Sequence, residues 1–226
     1  MSVKYTVLQP ESLDEISLAQ YQKFLIASET IEGHFLNQKM ISLFFLMCLS
    51  EALMIKKTSV DDLCTTINEL FDEEQPLQKI FKIGNKEFGF IPNLEELTMG
   101  EFIDLDTYLG DWKEMHRAMA VLYRPVTNKY KDTYEIEQYE SSDKYAEVMK
   151  YAGMGAVMGA VGFFWNLSNE LIRASQASLQ EELTQEIIQQ LRSLQEDGDG
   201  TLASMHSQVE DLIKLTLPQD TTLESV

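Results

Sequence analysis

The side chains of this 226-residue chain that are able to carry chemistry are few. Paired carboxylates do general acid–base work when one is held protonated and the other ionised. Glu101, Asp104 and Asp106 crowd into MGEFIDLD. Glu101 is explained there by helix capping. Asp104 and Asp106 fall opposite Phe102, Ile103 and Leu105, so an acidic surface facing solvent is expected. None of His34, His116 and His206 has a second His or Cys at metal-ligand spacing. His116, between Met115 and Arg117, reads as a partly exposed helix residue. Cys48 and Cys64 make neither a disulfide framework nor a zinc site. Cys48 lies in ISLFFLMCL and reads as a small buried hydrophobe. Asp197-Gly198-Asp199-Gly200 is similar to part of a calcium loop. With Gly200 at the sharp turn, however, Gln195 and His206 stand where carboxylates are required. The motifs G-x-x-x-x-G-K-[ST], G-x-G-x-x-G and G-x-S-x-G do not occur. The expectation is a non-enzyme with no catalytic, cofactor or metal site.

What must position these residues is a repeated helical unit. Residues 12–25, SLDEISLAQYQKFL, align with residues 93–106, NLEELTMGEFIDLD. Leu13 pairs with Leu94, Glu15 with Glu96, Ile16 with Leu97, Ser17 with Thr98, Gln20 with Glu101, and Tyr21 with Phe102. Ser17/Gln20 and Thr98/Glu101 each form a capping box, in which a hydroxyl covers the first-turn N–H groups and the residue three on reaches back. Two related helical units are expected, at about 12–55 and 93–123.

Between and around them the periodicity changes. Residues 3–8 alternate as a short edge strand. Residues 38–55, apolar nearly all round, read as a buried central helix. Ser59 reads as an N-cap with acids in the first turn behind it. KIFKIGNKEFGFI (79–91) switches to period two around Gly84-Asn85, a two-residue hairpin loop. A helix DWKEMHRAMAVLY follows and is stopped by Pro125. Residues 126–139 alternate around Lys131-Asp132, and this second hairpin extends the first into a small sheet. Helix resumes at Lys144, with an interruption at Gly153.

The run AGMGAVMGAVGFFWNLSN (152–169) is uncharged. Its strictly apolar part, 152–165, is shorter than the roughly 20 residues a membrane span needs. The expectation is a glycine-rich face packed on the helix 38–55. A long helix is expected from about 154 to 194, leaving the body as an arm. Leu179, Leu183, Ile187, Leu191 and Leu194 form one apolar stripe on it, a candidate partner-binding surface. The stripe must bury itself on the last short helix (about 201–216, beyond the joint 196–200), on another protein, or in self-association. The fold class expected is thus α+β, mainly α-helical, with a small antiparallel sheet and a long C-terminal arm. The domains are 1–174 and 175–226.

The net charge of −19, from 37 acidic and 18 basic residues, opposes binding to nucleic-acid phosphates or to an anionic membrane. MSVKYTVLQPESLDE carries no apolar stretch and turns acidic at once, so a reducing cytoplasm is expected.

ISLAQYQKFL, LNQKMISLFFLMC, FGFIPNLEELTMGEFIDLD, MHRAMAVLYRP and FFWNLSNELI together resemble proteins of tailed bacteriophages, in particular the tail and baseplate-hub assembly chaperones. The resemblance covers about residues 12–172. It implies a virion morphogenesis protein that holds a tape-measure or baseplate-hub component in the host cytoplasm. The alternative it leaves open is a structural virion protein, a minor tail or internal cargo component.

Overall fold

The computed structural model describes residues 9–131 and 133–170, together with Arg173, Gln176 and Gln185. The strand expected at 3–8, the joint at 196–200, the helix at 201–216 and the arm residues Leu179, Leu183, Ile187, Leu191 and Leu194 lie outside the described residues. The chain divides between Asn169 and Glu170 into two units, and the elements below belong to the first. The fold is α+β and mainly helical, with one four-stranded antiparallel sheet.

Capping chemistry opens both repeats. A single 3-10 turn, Leu13–Glu15, leads to Ser17 and helix α1 (Leu18–Ser28). The Gln20 N–H donates to Ser17 Oγ at 3.4 Å, and Gln20 Oε1 accepts from the Ser17 N–H at 2.8 Å. The second repeat has the turn Leu94–Glu96, then Thr98, then helix α5 (Met99–Tyr108). There the Glu101 N–H donates to Thr98 Oγ1 at 3.3 Å, and Glu101 Oε2 accepts from the Thr98 N–H at 2.7 Å.

The apolar run 38–55 is not one buried central helix. Helix α2 (Gly33–Phe44) ends there, and a short α3 (Leu49–Ala52) restarts after a break. Leu46 takes a left-handed φ of 52°, and the Met47 N–H donates back to the Ser42 carbonyl at 3.2 Å. This is a Schellman stop, built on leucine instead of glycine. The break turns Cys48 out of any helical face, so it is exposed, contrary to the buried role expected of it. Helix α4 (Lys57–Asp72) begins two residues before Ser59, with Lys56 as its N-cap. The earlier start supplies a full turn ahead of Val60, which lies with Cys64 and Ile67 on the buried stripe.

Strands β1 (Ile80–Ile83) and β2 (Lys86–Phe90) pair with Ile83 opposite Lys86, leaving Gly84-Asn85 as the loop. Helix α6 (Met115–Leu122) runs straight into β3 (Tyr123–Tyr130), which pairs with β4 (Thr133–Ile136). Pro125 therefore does not stop the helix; it lies inside β3, opposite Phe88. Its carbonyl points to the β4 side, where it accepts from the Glu137 N–H at 2.9 Å. In an antiparallel strand N–H and C=O of one residue point the same way, so proline forfeits no bond to β2. The sheet order is β1-β2-β3-β4.

The central helix is α6, in which every residue but Arg117 is buried. Helix α7 (Asp143–Met149) follows, and then α8, 154–169 within this unit. The glycines of α8 pack elsewhere than expected, against the chain at Asp14 and at Pro76 rather than on the 38–55 run. A Cβ on Gly155 would meet Asp14 Oδ1 at 2.5 Å, and one on Gly159 the Pro76 carbonyl oxygen at 2.4 Å. No helix among the described residues is long and apolar enough to cross a membrane.

Candidate protein-interaction site

The three acids of MGEFIDLD separate into different roles. Glu101 is buried as well as capping: its Oε1 accepts from Arg124 Nη1 at 2.5 Å. Burial pushes its carboxyl up, but the bonds from Thr98 and Arg124 outweigh that, and the pKa lies below the ordinary glutamate value. Asp104 is half-buried and accepts from the Tyr139 hydroxyl. Asp106 is exposed. No group of three His, Cys, Asp or Glu among the described residues is placed to hold a metal.

His116 is buried, contrary to the exposed position expected of it, because it lies on the central α6. Gln22 Nε2 sits 3.2 Å from His116 Nδ1 and donates to the Lys113 carbonyl at 2.9 Å. A neutral ring with Nδ1 unprotonated is the form of His116 able to accept from this amide. Burial holds its pKa below the usual histidine value, with Lys150 acting in the same direction. The unfolded chain then takes up the proton first. The stability involved is whole above about pH 6.5 and is lost as pH falls through the lowered folded value. Denaturant midpoints of the wild type are expected to drop between about pH 7 and pH 5, and His116→Gln to flatten that slope.

The apolar surface left open lies between α5 and α8. Leu97, Phe102, Leu105, Val161, Phe164 and Trp165 line an open cavity of about 550 Å³. Its floor is anchored, since the Phe164 ring packs on Phe90 of β2 at 6.3 Å between centroids. A neighbouring cavity of about 560 Å³ shares Leu97, Phe102 and Phe164 and reaches Met99. Met99, Phe102 and Trp165 are 73%, 56% and 69% exposed. Among the described residues, Glu95 and Asp106 are the only charged side chains lining either cavity. The arrangement is able to bury apolar side chains of another molecule and to prefer basic groups beside them. No protein-family model, curated protein or solved structure matches this chain.

A second exposed apolar tip surrounds the Schellman stop. Leu46 is 82% exposed and Met54 72%. A left-handed leucine costs roughly 1–2 kcal/mol, and glycine would lose about 0.5–1 kcal/mol more chain entropy on folding. Leu46→Gly is therefore expected to stabilise the fold by about 0.5–1 kcal/mol in urea titrations.

Of the residues singled out from sequence, Ser17, Gln20, Thr98 and Glu101 stand at the two helix starts. Gln20 also tethers α1 to α2, its Nε2 donating to the Leu43 carbonyl at 2.7 Å. Arg124 and the α5–α8 cavity were not anticipated. Arg124 directly follows the buried run Ala118–Tyr123, and nothing local distinguishes it from an exposed flanking arginine.

Proposed function

We propose that this chain is a non-enzymatic assembly chaperone of a tailed bacteriophage. It binds an aggregation-prone tail component, a tape-measure or baseplate-hub protein, in the host cytoplasm before the virion is complete. The observation that carries this reading is the open apolar surface between α5 and α8, with three large side chains more than half exposed. A protein that holds sticky segments reversibly needs such a surface, and its net charge of −19 keeps loaded complexes apart. The stretches FGFIPNLEELTMGEFIDLD and MHRAMAVLYRP, which resemble phage tail chaperones, support the same reading. Met99 and Phe102 belong to the first of them.

Co-expression with a tape-measure protein tests it. The expected result is a rise in the soluble fraction of that protein, and absence of this chain from purified particles. Unchanged solubility sinks the proposal, and abundant presence in particles favours a structural virion role.

A further inference from the structure

The two capped units differ in what covers them. Over the first, Lys150–Met154 lies antiparallel to Ile16–Ala19. The Met154 N–H donates to the Ile16 carbonyl at 2.8 Å, the Leu18 N–H to the Ala152 carbonyl at 2.9 Å, and the Ala19 N–H to the Lys150 carbonyl at 2.8 Å. Ser17 and Gly153 meet at the crossing point. Only glycine fits there, since a Cβ on residue 153 would stand 2.7 Å from Asp14 Cα. Under this cover Leu13, Ile16 and Leu18 are 2%, 0% and 0% exposed.

At the second unit the counterpart positions are less covered: Glu95, Thr98, Met99 and Phe102 are exposed, and Leu94 and Leu97 are half-buried. Leu94, Glu95, Leu97, Thr98, Met99 and Phe102 correspond to Leu13, Asp14, Ile16, Ser17, Leu18 and Tyr21. All six line the cavity of about 560 Å³. Leu18 is fully buried, whereas Met99, its counterpart, is 73% exposed. The Leu97 carbonyl and the Met99 and Gly100 N–H groups, counterparts of those that bond Lys150–Met154, make no backbone bond outside their own helix among the described residues.

We propose that this cavity receives a segment of a partner protein in the way Ile16–Ala19 receives Lys150–Met154. The segment is short, made of apolar and small residues, with glycine at the crossing point and Lys or Arg on its flanks. Apolar lining selects the centre. The flanks follow from charge, because Glu95 and Asp106 line the two adjoining cavities without a described basic side chain, on a chain of net charge −19. The proposal rests on reading the chain as a partner-binding protein, and adds where it binds and what it selects.

The probe is a fluorescent synthetic peptide, MKYAGM with lysine flanks, which copies residues 149–154. Anisotropy titration with the full chain is expected to show saturable binding. Met99→Asp and Phe102→Asp change exposed side chains, so unfolding midpoints should hold while affinity drops about tenfold each. Glutamate flanks, or valine in place of the peptide's glycine, should weaken binding as well. No binding by the wild type, or equal binding by both aspartate variants, overturns the proposal. If Met99→Asp still solubilises the tape-measure protein, the chaperone function stands and acts through another surface. If the peptide binds here and that protein stays insoluble, the cavity stands and the chaperone function falls.

Discussion

Arg124→Ala is expected to destabilise the protein by about 3–5 kcal/mol, the cost of stranding a charge in a buried pair. Both side chains are nearly inaccessible, at 9% for Arg124 and 5% for Glu101. The guanidinium also lies over the Tyr139 ring, 5.7 Å from its centroid. Removing it leaves the Glu101 carboxylate with only its capping bonds from Thr98. The pair is not irreplaceable, because Arg124 Nε has no hydrogen-bond partner among the described residues. Glu101→Gln with Arg124→Met should therefore recover most of the loss, to within about 1–2 kcal/mol of wild type. Glutamine keeps the capping box, as Gln20 does at the first helix. Acid provides a second readout. Glu101 has a depressed folded pKa, so its contribution is present above the unfolded glutamate value of about 4.3 and is lost as pH falls through the folded one. The gap between wild type and Arg124→Ala should narrow over that window in guanidinium titrations.

Gly159→Ala is expected to cost about 3 kcal/mol, the upper end for one methyl group forced into a filled space. Its Cβ would stand 2.4 Å from the Pro76 carbonyl oxygen and 3.0 Å from the Pro76 carbonyl carbon. Both are backbone atoms, so no rotamer change relieves the clash. Gly162, one turn later on α8, is the internal comparison. A Cβ there meets nothing within 4 Å, and alanine at that position should stabilise the helix by about 0.5–1 kcal/mol. Thermal melts of the two variants should thus move in opposite directions. Equal shifts would show that α8 does not sit against the chain at Pro76.

Local signals in the sequence carried the elements that depend on near neighbours. The Gly84-Asn85 loop is legible because period two flanks a dipeptide suited to left-handed turns, and Gly84 takes a φ of 58°. The caps are legible because three-residue spacing is the whole of their geometry. Leu46 was hidden for the opposite reason: leucine rarely ends a helix, and a run of apolar residues reads as continuous. Pro125 misled because its usual role as a helix stop is local, whereas its place in β3 depends on Phe88 of β2 and on Glu137 just past β4. The α5–α8 cavity joins residues near 100 to residues near 165, and nothing in either stretch announces the other. The burial of Glu101 likewise needed Arg124 to be seen beside it.

The cover over the first unit also sets an order of events during synthesis. The Leu18 and Ala19 N–H groups find their partners at Ala152 and Lys150, roughly 130 residues downstream. At about 5–20 residues per second, a ribosome needs on the order of ten seconds to supply them. Through that interval Leu13, Ile16 and Leu18 have emerged without the strand that seals them. The amino-terminal repeat of each nascent chain thus passes through the same open state in which the second repeat remains. For those seconds each nascent chain carries an unguarded apolar edge of its own.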